Sequence, residues 1–311
     1  MPNHTNPLTE AITQARFAAA HSVRERPGME PQYLPKKPAV LRTLNLKSSF
    51  LPSLYDKEGR MIAAPIGMPA AETIALDAAV IKASRVAQAG AHVIIRDNQL
   101  SPIPVGNTGD MMLADVLSTF STIEPATYAD VADDAEVTVT ESLPIHRATM
   151  DWSTAQSVAV RFTVPRSTQK QHDQELFSAE LLIALTLGLG RAADRLLLAA
   201  INATTPDAFT LAGAAAQGLN VEELRALVGT NAAGAEFRND GTMVAANIPA
   251  KLTGDMAGTL IGAWDRAAIA IGQDVSLLAE RTNKNGTLDV TAWAYMIPMV
   301  PDASKFWTVT A

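Results

Sequence analysis

The chain has 311 residues, a formal net charge of −7 at pH 7 and no cysteine. This length allows one large hydrophobic core or two smaller ones. The lack of cysteine excludes disulfides, thiolate metal sites and cysteine nucleophiles. Hydrophobic residues make up 48% of the chain and aromatic residues only 5%, a composition typical of a folded protein packed with small side chains.

The sequence lacks the usual signals of membrane insertion and secretion. No apolar run reaches the roughly 18 residues that a membrane-spanning helix needs. The first nine residues are polar and lack the apolar segment of a secretory signal. We therefore expect a soluble protein that is made in the cytoplasm and has no membrane partner.

Charge is unevenly distributed along the chain. Residues 1–60 contain nine Lys or Arg and five Asp or Glu, a balance of +4 that leaves −11 for the remainder. Eight acidic residues lie between Asp110 and Glu141, and no Lys or Arg occurs between Arg96 and Arg147. One interpretation is a solvated acidic surface, and the other is a basic arm that meets an acidic loop on a neighbouring copy.

The N-terminal part predicts a helix followed by an extended arm. Residues 8–26 have amphipathic spacing, with Thr9 as a candidate cap and Pro27 as a stop. Four prolines between residues 27 and 38 favour an extended chain, because proline fixes φ and removes a backbone donor.

A second helix is predicted over residues 70–88, ended by Gly90. The segments 92–96 and 100–105 have strand composition, and Asp97-Asn98 between them predicts a hairpin. Another strand is predicted over residues 156–164, where Pro165 ends the alternating pattern.

The strongest periodic signal covers residues 173–202. Apolar residues recur there at spacings of three and four, which predicts a helix of about 45 Å at 1.5 Å per residue. A short helix capped by Asn220 is predicted over 221–228, and residues 239–241 and 283–286 predict tight turns between strands. The pattern indicates an α+β fold with an antiparallel sheet after the long helix.

Chemical motifs give no catalytic constellation. Gly188 and Gly190 imitate a dinucleotide-binding loop, but the helical spacing around them favours close packing instead. His172 beside acids lacks the further ligands of a zinc site, and the acids of 130–136 lack calcium-loop spacing. The four tryptophans favour packing or interface roles. We therefore expect no enzyme activity, cofactor or metal.

The C-terminal half resembles a known family. Strand patterns at 242–249 and 254–271, the second containing Asp265-Arg266, precede a final strand and tail at 288–311. Ser178-Ala-Glu-Leu-Leu182 and Asp194-Arg-Leu-Leu-Leu198 mark the long helix. This order and spacing resemble the major capsid proteins of tailed bacteriophages with the Hong Kong 97-type fold.

The resemblance implies a division of the chain and a function. It implies an N-terminal helix and arm (1–60), a peripheral domain (61–206), an axial domain (207–285) and a C-terminal strand and tail (286–311). An extended loop is expected at about 91–155, and 173–202 corresponds to the spine helix. The implied function is a structural subunit that self-assembles into an icosahedral head around double-stranded DNA.

The implied partners are further copies in hexamers and pentamers, portal and scaffolding proteins, a possible decoration protein, and DNA bound only nonspecifically. The implied location is the virion, after assembly in the host cytoplasm. Since no Lys lies between residues 83 and 169, we expect no isopeptide cross-link from the loop. Suspected inter-subunit contacts join arm cations to loop acids, namely Arg24, Arg26, Lys36, Lys37, Arg42, Asp130, Asp133, Asp134 and Glu136.

Two other classes of function stay open. Encapsulin-like shells share this fold and enclose enzymes, and their N-terminal helix docks cargo, a role open to residues 8–26. The other alternative is an α+β enzyme whose catalytic residues the sequence does not connect. Particle contents distinguish the two kinds of shell, whereas a compact monomer favours the enzyme.

Overall fold

The computed structural model describes residues 7–20, 23–24, 32–33, 39–50, 74–96, 101–105, 110–114, 118–126, 128, 130–131, 133, 142–171, 174–281 and 286–309. The helices are α1 (Pro7–Ala20), α2 (Leu76–Ala83), α3 (Arg85–Ala89), α4 (Arg166–Gln171), α5 (Gln174–Ala203) and α6 (Leu211–Ala216). Short 3-10 turns occupy Trp152–Thr154, Val221–Glu223, Trp264–Arg266 and Ala303–Lys305.

The strands before α5 are β1 (Val23–Arg24), β2 (Gln32–Tyr33), β3 (Ala39–Asn45), β4 (His92–Arg96), β5 (Ser101–Val105), β6 (Asp110–Ala114), β7 (Ser118–Ile123), β8 (Ile145–Met150) and β9 (Gln156–Val164). Those after it are β10 (Arg225–Val228), β11 (Ala235–Phe237), β12 (Met243–Ala245), β13 (Ile248–Leu252), β14 (Thr259–Gly262), β15 (Ala268–Gly272), β16 (Asp274–Glu280), β17 (Leu288–Met299) and β18 (Phe306–Val309). This mixture of helix and sheet confirms the α+β class.

The main sheet is built around β17, in the order β3-β16-β17-β15-β4. Only β4 and β15 are parallel. The strand β9 also pairs with β17, from Leu288↔Val164 to Met296↔Gln156, whereas β15 pairs with β17 from Met296 to Met299. One edge of β17 therefore pairs with β9 over residues 288–296 and with β15 over residues 296–299.

Helix α5 covers one face of this sheet and is flanked by α1, α2 and α3. On β15, Ile269 and Ile271 belong to the core beneath α5. The alternate residues Ala268 and Ala270 belong to a second cluster with Phe120 and the base of the β7–β8 hairpin. Because both faces are covered, β15 is apolar at every position except its final glycine.

A second sheet has the order β11-β12-β13-β10-β14-β18. It has a smaller core of its own, closed by Trp307 on β18. The tail therefore returns to pair with β14, in a register that runs from Thr259↔Val309 to Gly262↔Phe306. Next to it, Trp264 is fully buried and lies edge-on to Phe306, with ring centroids 5.4 Å apart. These positions confirm packing roles for Trp264 and Trp307.

Three two-stranded ribbons, β1–β2, β5–β6 and β7–β8, join neither large sheet in the described part of the chain. The pair β5–β6 corrects the predicted hairpin of 92–105, because β4 pairs with β15 and β5 pairs with β6. Asp97-Asn98 favours a turn between neighbouring segments. Ile95, however, is buried beneath α5 when β4 joins the main sheet, and this tertiary contact outweighs the local preference.

The predicted N-terminal helix was wrong in its end and in its cap. The helix predicted over 8–26 ends at Ala20, and Thr9 lies inside it, where its hydroxyl donates to Ser178 Oγ at 2.9 Å. Leu8, Ala11, Ile12 and Ala15 are fully buried. The extended arm predicted for 27–38 lies outside the described residues, apart from β2.

The structure corrects two further helix predictions and confirms a strand, the long helix and a turn. The helix predicted over 70–88 is interrupted at Ser84, whose side chain caps α3, although Gly90 ends it as expected with φ +122°. The helix predicted over 221–228 is a 3-10 turn followed by β10, with Asn220 and Glu223 forming a capping box. The strand over 156–164, the helix over 173–202 and the turn at Gly241, with φ +82°, are confirmed to within a residue or two.

The two glycines of the false dinucleotide motif lie on different faces of α5. A Cβ at Gly190 would lie 2.9 Å from Ala83 Cβ and 3.0 Å from the Val80 carbonyl oxygen. A Cβ at Gly188 would meet nothing within 4 Å. The predicted close-packing role is therefore confirmed for Gly190, where α2 crosses α5, and wrong for Gly188.

This difference predicts opposite effects of the same substitution. Gly190→Ala should destabilise the subunit by about 1–3 kcal/mol, because overpacking forces α2 away from α5. Gly188→Ala should leave stability unchanged or raise it by up to about 1 kcal/mol, because alanine is the better helix former. Urea denaturation of both purified variants gives the comparison, and equal effects would contradict the assignment.

Candidate subunit-contact surfaces

The suspected inter-subunit residues fall partly within the described chain. Arg24 lies on β1, Arg42 on β3, and Asp130 and Asp133 are exposed in the segment between β7 and β8. Arg26, Lys36, Lys37, Asp134 and Glu136 lie outside the described residues. The proposed pairing of arm cations with loop acids therefore stays a prediction.

Arg42 has partners within its own chain. Its guanidinium donates to Gln14 Oε1 at 2.6 Å, and Glu10 Oε1 lies 3.5 Å away. Both partners are on α1, so Arg42 fastens the N-terminal helix to the edge strand β3. A contact with a neighbouring copy would have to compete with these bonds.

The end of the β7–β8 hairpin is held by a cluster of charges. Glu124 pairs with Arg266 through Oε1, and its Oε2 lies 3.3 Å from Lys305 Nζ. The Lys305 side chain is only 4% exposed and also donates to the Gln217 carbonyl oxygen at 3.0 Å. Asp302 Oδ2 lies 3.9 Å from the same ammonium. We call Glu124, Arg266 and Lys305 the latch, because they join the hairpin to both large sheets.

A second polar cluster ties β9 to β17. Asp289 accepts from Arg161 Nη2 and from Thr163 Oγ1, both at 2.7 Å. The hydrogen bonds from Thr163 and Arg161 lower the pKa of Asp289 from its ordinary value of 3.8. These bonds favour the charged form of a buried carboxylate near the start of β17, the central strand of the main sheet.

A third carboxylate is buried in the middle of α5. Asp194 accepts from Ser84 Oγ at 2.6 Å and from the backbone N–H groups of Arg85 and Val86 at 2.7 and 3.1 Å. Burial raises the pKa of Asp194, although these three hydrogen bonds act in the opposite direction. The carboxylate satisfies the first N–H groups of α3 and so explains the break between α2 and α3.

An open apolar groove of about 390 Å³ runs between α5 and the β9 side of the main sheet. Small side chains leave this space, with Gly188 on the helix and Ala292 and Ala294 on β17. Val160 on β9 is 41% exposed there, and the outer edge of β9 has no strand partner in the described chain. This edge and groove form an unpaired apolar surface.

Large apolar side chains also stand exposed around the β7–β8 hairpin. Tyr128 is 95% exposed, Leu143 75% and Ile123 69%. Clustered exposure of this kind is typical of interaction surfaces. In the described part of the chain, no group of three or more His, Asp or Glu side chains has the arrangement of a metal site. Among the described helices, none is long and apolar enough to cross a membrane.

Sequence reasoning missed most of these polar sites. It included Glu124 among the loop acids but not its partners, which lie more than 140 residues along the chain. Asp194 and Asp289 each lie in a mostly apolar segment. An acidic residue in such a segment is the sequence signal for a buried carboxylate. That signal identifies a buried acid without identifying its donors.

No protein-family model matches the chain, and no curated protein matches it. Solved structures do align with it. The capsid of the empty GTA particle is 12% identical over 84% of this chain and 100% of that chain, with a TM-score of 0.46. The satellite phage P4 procapsid is 14% identical over 74% and 96%, with a TM-score of 0.42. The virus-like particle from Pyrococcus furiosus is 11% identical over 74% and 94%, with a TM-score of 0.40.

The latch gives a stability prediction with a matched control. Glu124→Gln should lower the free energy of unfolding by about 2–3 kcal/mol, because it leaves the Lys305 ammonium buried with weaker partners. Asp265→Asn should change it by less than about 1 kcal/mol, since Asp265 is exposed and 3.8 Å from Arg266. Denaturant titrations of both variants test this, and equal losses would contradict a structural role for the latch.

The lowered pKa of Asp289 predicts an acid-dependent loss of stability. A carboxylate with a depressed pKa stabilises the fold above its unfolded value, and this contribution is lost as pH falls through the folded pKa. Stability should therefore fall below about pH 3.8 more steeply in the native protein than in Asp289→Asn. The variant should also be about 1–2 kcal/mol less stable at pH 7. Melting temperatures between pH 2 and pH 7 give both quantities, and parallel pH profiles would refute the assignment.

Proposed function

We propose that this chain is a major capsid subunit of a tailed bacteriophage, which self-assembles into an icosahedral head around double-stranded DNA. The observation that carries the proposal is the pair of two-stranded ribbons, β1–β2 and β5–β6, that join neither large sheet in the described residues. An isolated two-stranded ribbon is marginally stable in water, so it needs a surface to pack against. In a shell, neighbouring copies supply that surface.

Element order supports the same function. An N-terminal helix, ribbons in the region of the expected loop, a 30-residue helix and a returning C-terminal strand follow each other as the resemblance implies. The proposed domains remain 1–60, 61–206, 207–285 and 286–311. Because exposed apolar surface occurs on β3, on the hairpin and on β11, one copy can contact several neighbours at once.

The proposed partners are further copies in hexamers and pentamers, a portal protein, a scaffolding protein and a decoration protein. The acidic chain favours weak, nonspecific contact with the packaged DNA. Arm cations and loop acids remain proposed contacts between copies. A cargo shell of the encapsulin type is less favoured, because the apolar side chains of α1 from Leu8 to Ala15 are covered by the same chain.

The proposal predicts closed particles held without covalent bonds. The purified protein, expressed with its neighbouring genes, should form uniform shells by negative-stain electron microscopy. After boiling in detergent, the shells should run as a single 33.0 kDa band, because the region of the expected loop offers no lysine for an isopeptide. A compact monomer at every concentration would contradict the capsid assignment. A ladder of bands on the denaturing gel would contradict only the noncovalent assembly.

A further inference from the structure

A wide recess of about 1020 Å³ lies between α2–α3, α5 and the loops that flank β10 and β13. Four cationic side chains line it, Lys82, Arg85, Arg191 and Lys251. They come from three different parts of the chain, which the packing of α2 and α3, α5 and β13 brings together. We call this recess the basic groove.

Most of this positive charge is uncompensated. Asp255 lines the groove and is 3.1 Å from Arg191. Within the described part of the chain, no carboxylate pairs with Lys82, Arg85 or Lys251, and Lys251 Nζ donates to the Gln88 carbonyl oxygen at 3.2 Å. Partial burial lowers the pKa of Lys251, and the charges of Arg85 and Arg225 lower it further. A protein with a net charge of −7 thus places in one concave site three cations that have no carboxylate partner among the described residues.

The basic groove also has apolar surface. Leu252 is 60% exposed, and Leu187 is half-buried beside the cations. A ligand that fits this lining carries negative charges with apolar groups between them. A free inorganic anion would leave the leucines in contact with water.

The segment between β7 and β8 has this composition. Tyr128 is 95% exposed and Val131 43% exposed, and they alternate with the exposed carboxylates of Asp130 and Asp133. The sequence continues with further acids and no Lys or Arg until Arg147. In the described structure neither acid contacts the basic groove of its own chain.

We propose that the basic groove binds the acidic 128–136 segment of a second copy of this chain. Carboxylates of the segment face Lys82, Arg85 and Lys251, while Tyr128 and Val131 cover Leu252 and Leu187. The inference deepens the proposed function, because it names one contact between copies and rests on assembly for its biological meaning. It also assigns the acidic segment a partner other than the proline-rich arm.

Charge complementarity favours a second copy over nucleic acid. The acidic segment lies on the same chain, so every neighbour in an assembly presents it at high local concentration. Duplex DNA presents mainly phosphates to a surface groove, with few apolar groups for the two leucines, and it would have to approach a chain of net negative charge. Nucleic acid is therefore the alternative that the experiment must distinguish.

The test uses a fluorescent peptide of residues 126–141 and full-length protein, followed by anisotropy. The peptide should bind the native protein, more weakly as salt is raised, because the ion pairs are exposed. Lys82→Glu combined with Lys251→Glu should weaken binding at least tenfold. The matched control, Lys170→Glu with Arg238→Glu, reverses two exposed charges outside the basic groove and should bind the peptide as the native protein does. A peptide with Asn or Gln in place of its acids should not bind.

Other results of these binding measurements would contradict the proposed contact. Equal binding by the native and groove variants overturns the proposal. Loss of binding only in Lys36→Glu with Lys37→Glu also overturns it, because the arm would then be the partner of the acidic segment. Preferential binding of a 20-base-pair duplex at the basic groove overturns it in favour of phosphate. Thermal melts exclude unfolding of the variants, and Arg85→Gln offers a milder second variant. Peptide binding does not require particles, so a failure to form shells would refute the proposed function and leave this contact standing.

Discussion

The packing of α5 against the main sheet is the constraint on which the rest of the structure depends. A helix of 30 residues cannot follow a twisted sheet closely along its whole length. Gly190 allows the α2 backbone to approach, and Asp194 caps α3 beside it. Toward β9 the small residues leave the apolar groove open instead. One helix therefore has a tightly packed side, which organises the core, and an open side.

Buried charge plays a second role in joining distant segments. The latch joins the β7–β8 hairpin to residues near the C-terminus, and Asp289 joins β9 to β17. Pairs of this kind contribute less to net stability than to defining one arrangement, because desolvation offsets much of their attraction. Under the proposed capsid function, a defined direction of the β7–β8 hairpin would matter more than additional stability.

Local patterns in the sequence predicted the elements that depend on local physics. The alternation of residues 156–164 and the periodicity of residues 173–202 were sufficient, because burial on one face determines both. The hairpin predicted for 92–105 failed because β4 pairs with a strand 176 residues later, and no local signal contains that pairing. The latch and the basic groove were unpredictable for the same reason. Their charges are ordinary in the sequence and become a site only when α2, α5 and the two sheets meet.

The shared edge of β17 has a mechanical consequence. The β7–β8 hairpin connects through a single 3-10 turn to β9, which is held to β17 by nine consecutive residue pairs. A pull on the hairpin along the axis of β9 loads those pairs together in shear, so they must fail at once. A pull perpendicular to the strand peels them apart one at a time, at much lower force. The subunit is therefore stiff toward tension in the plane of its sheet and compliant toward forces that lift the hairpin away from it.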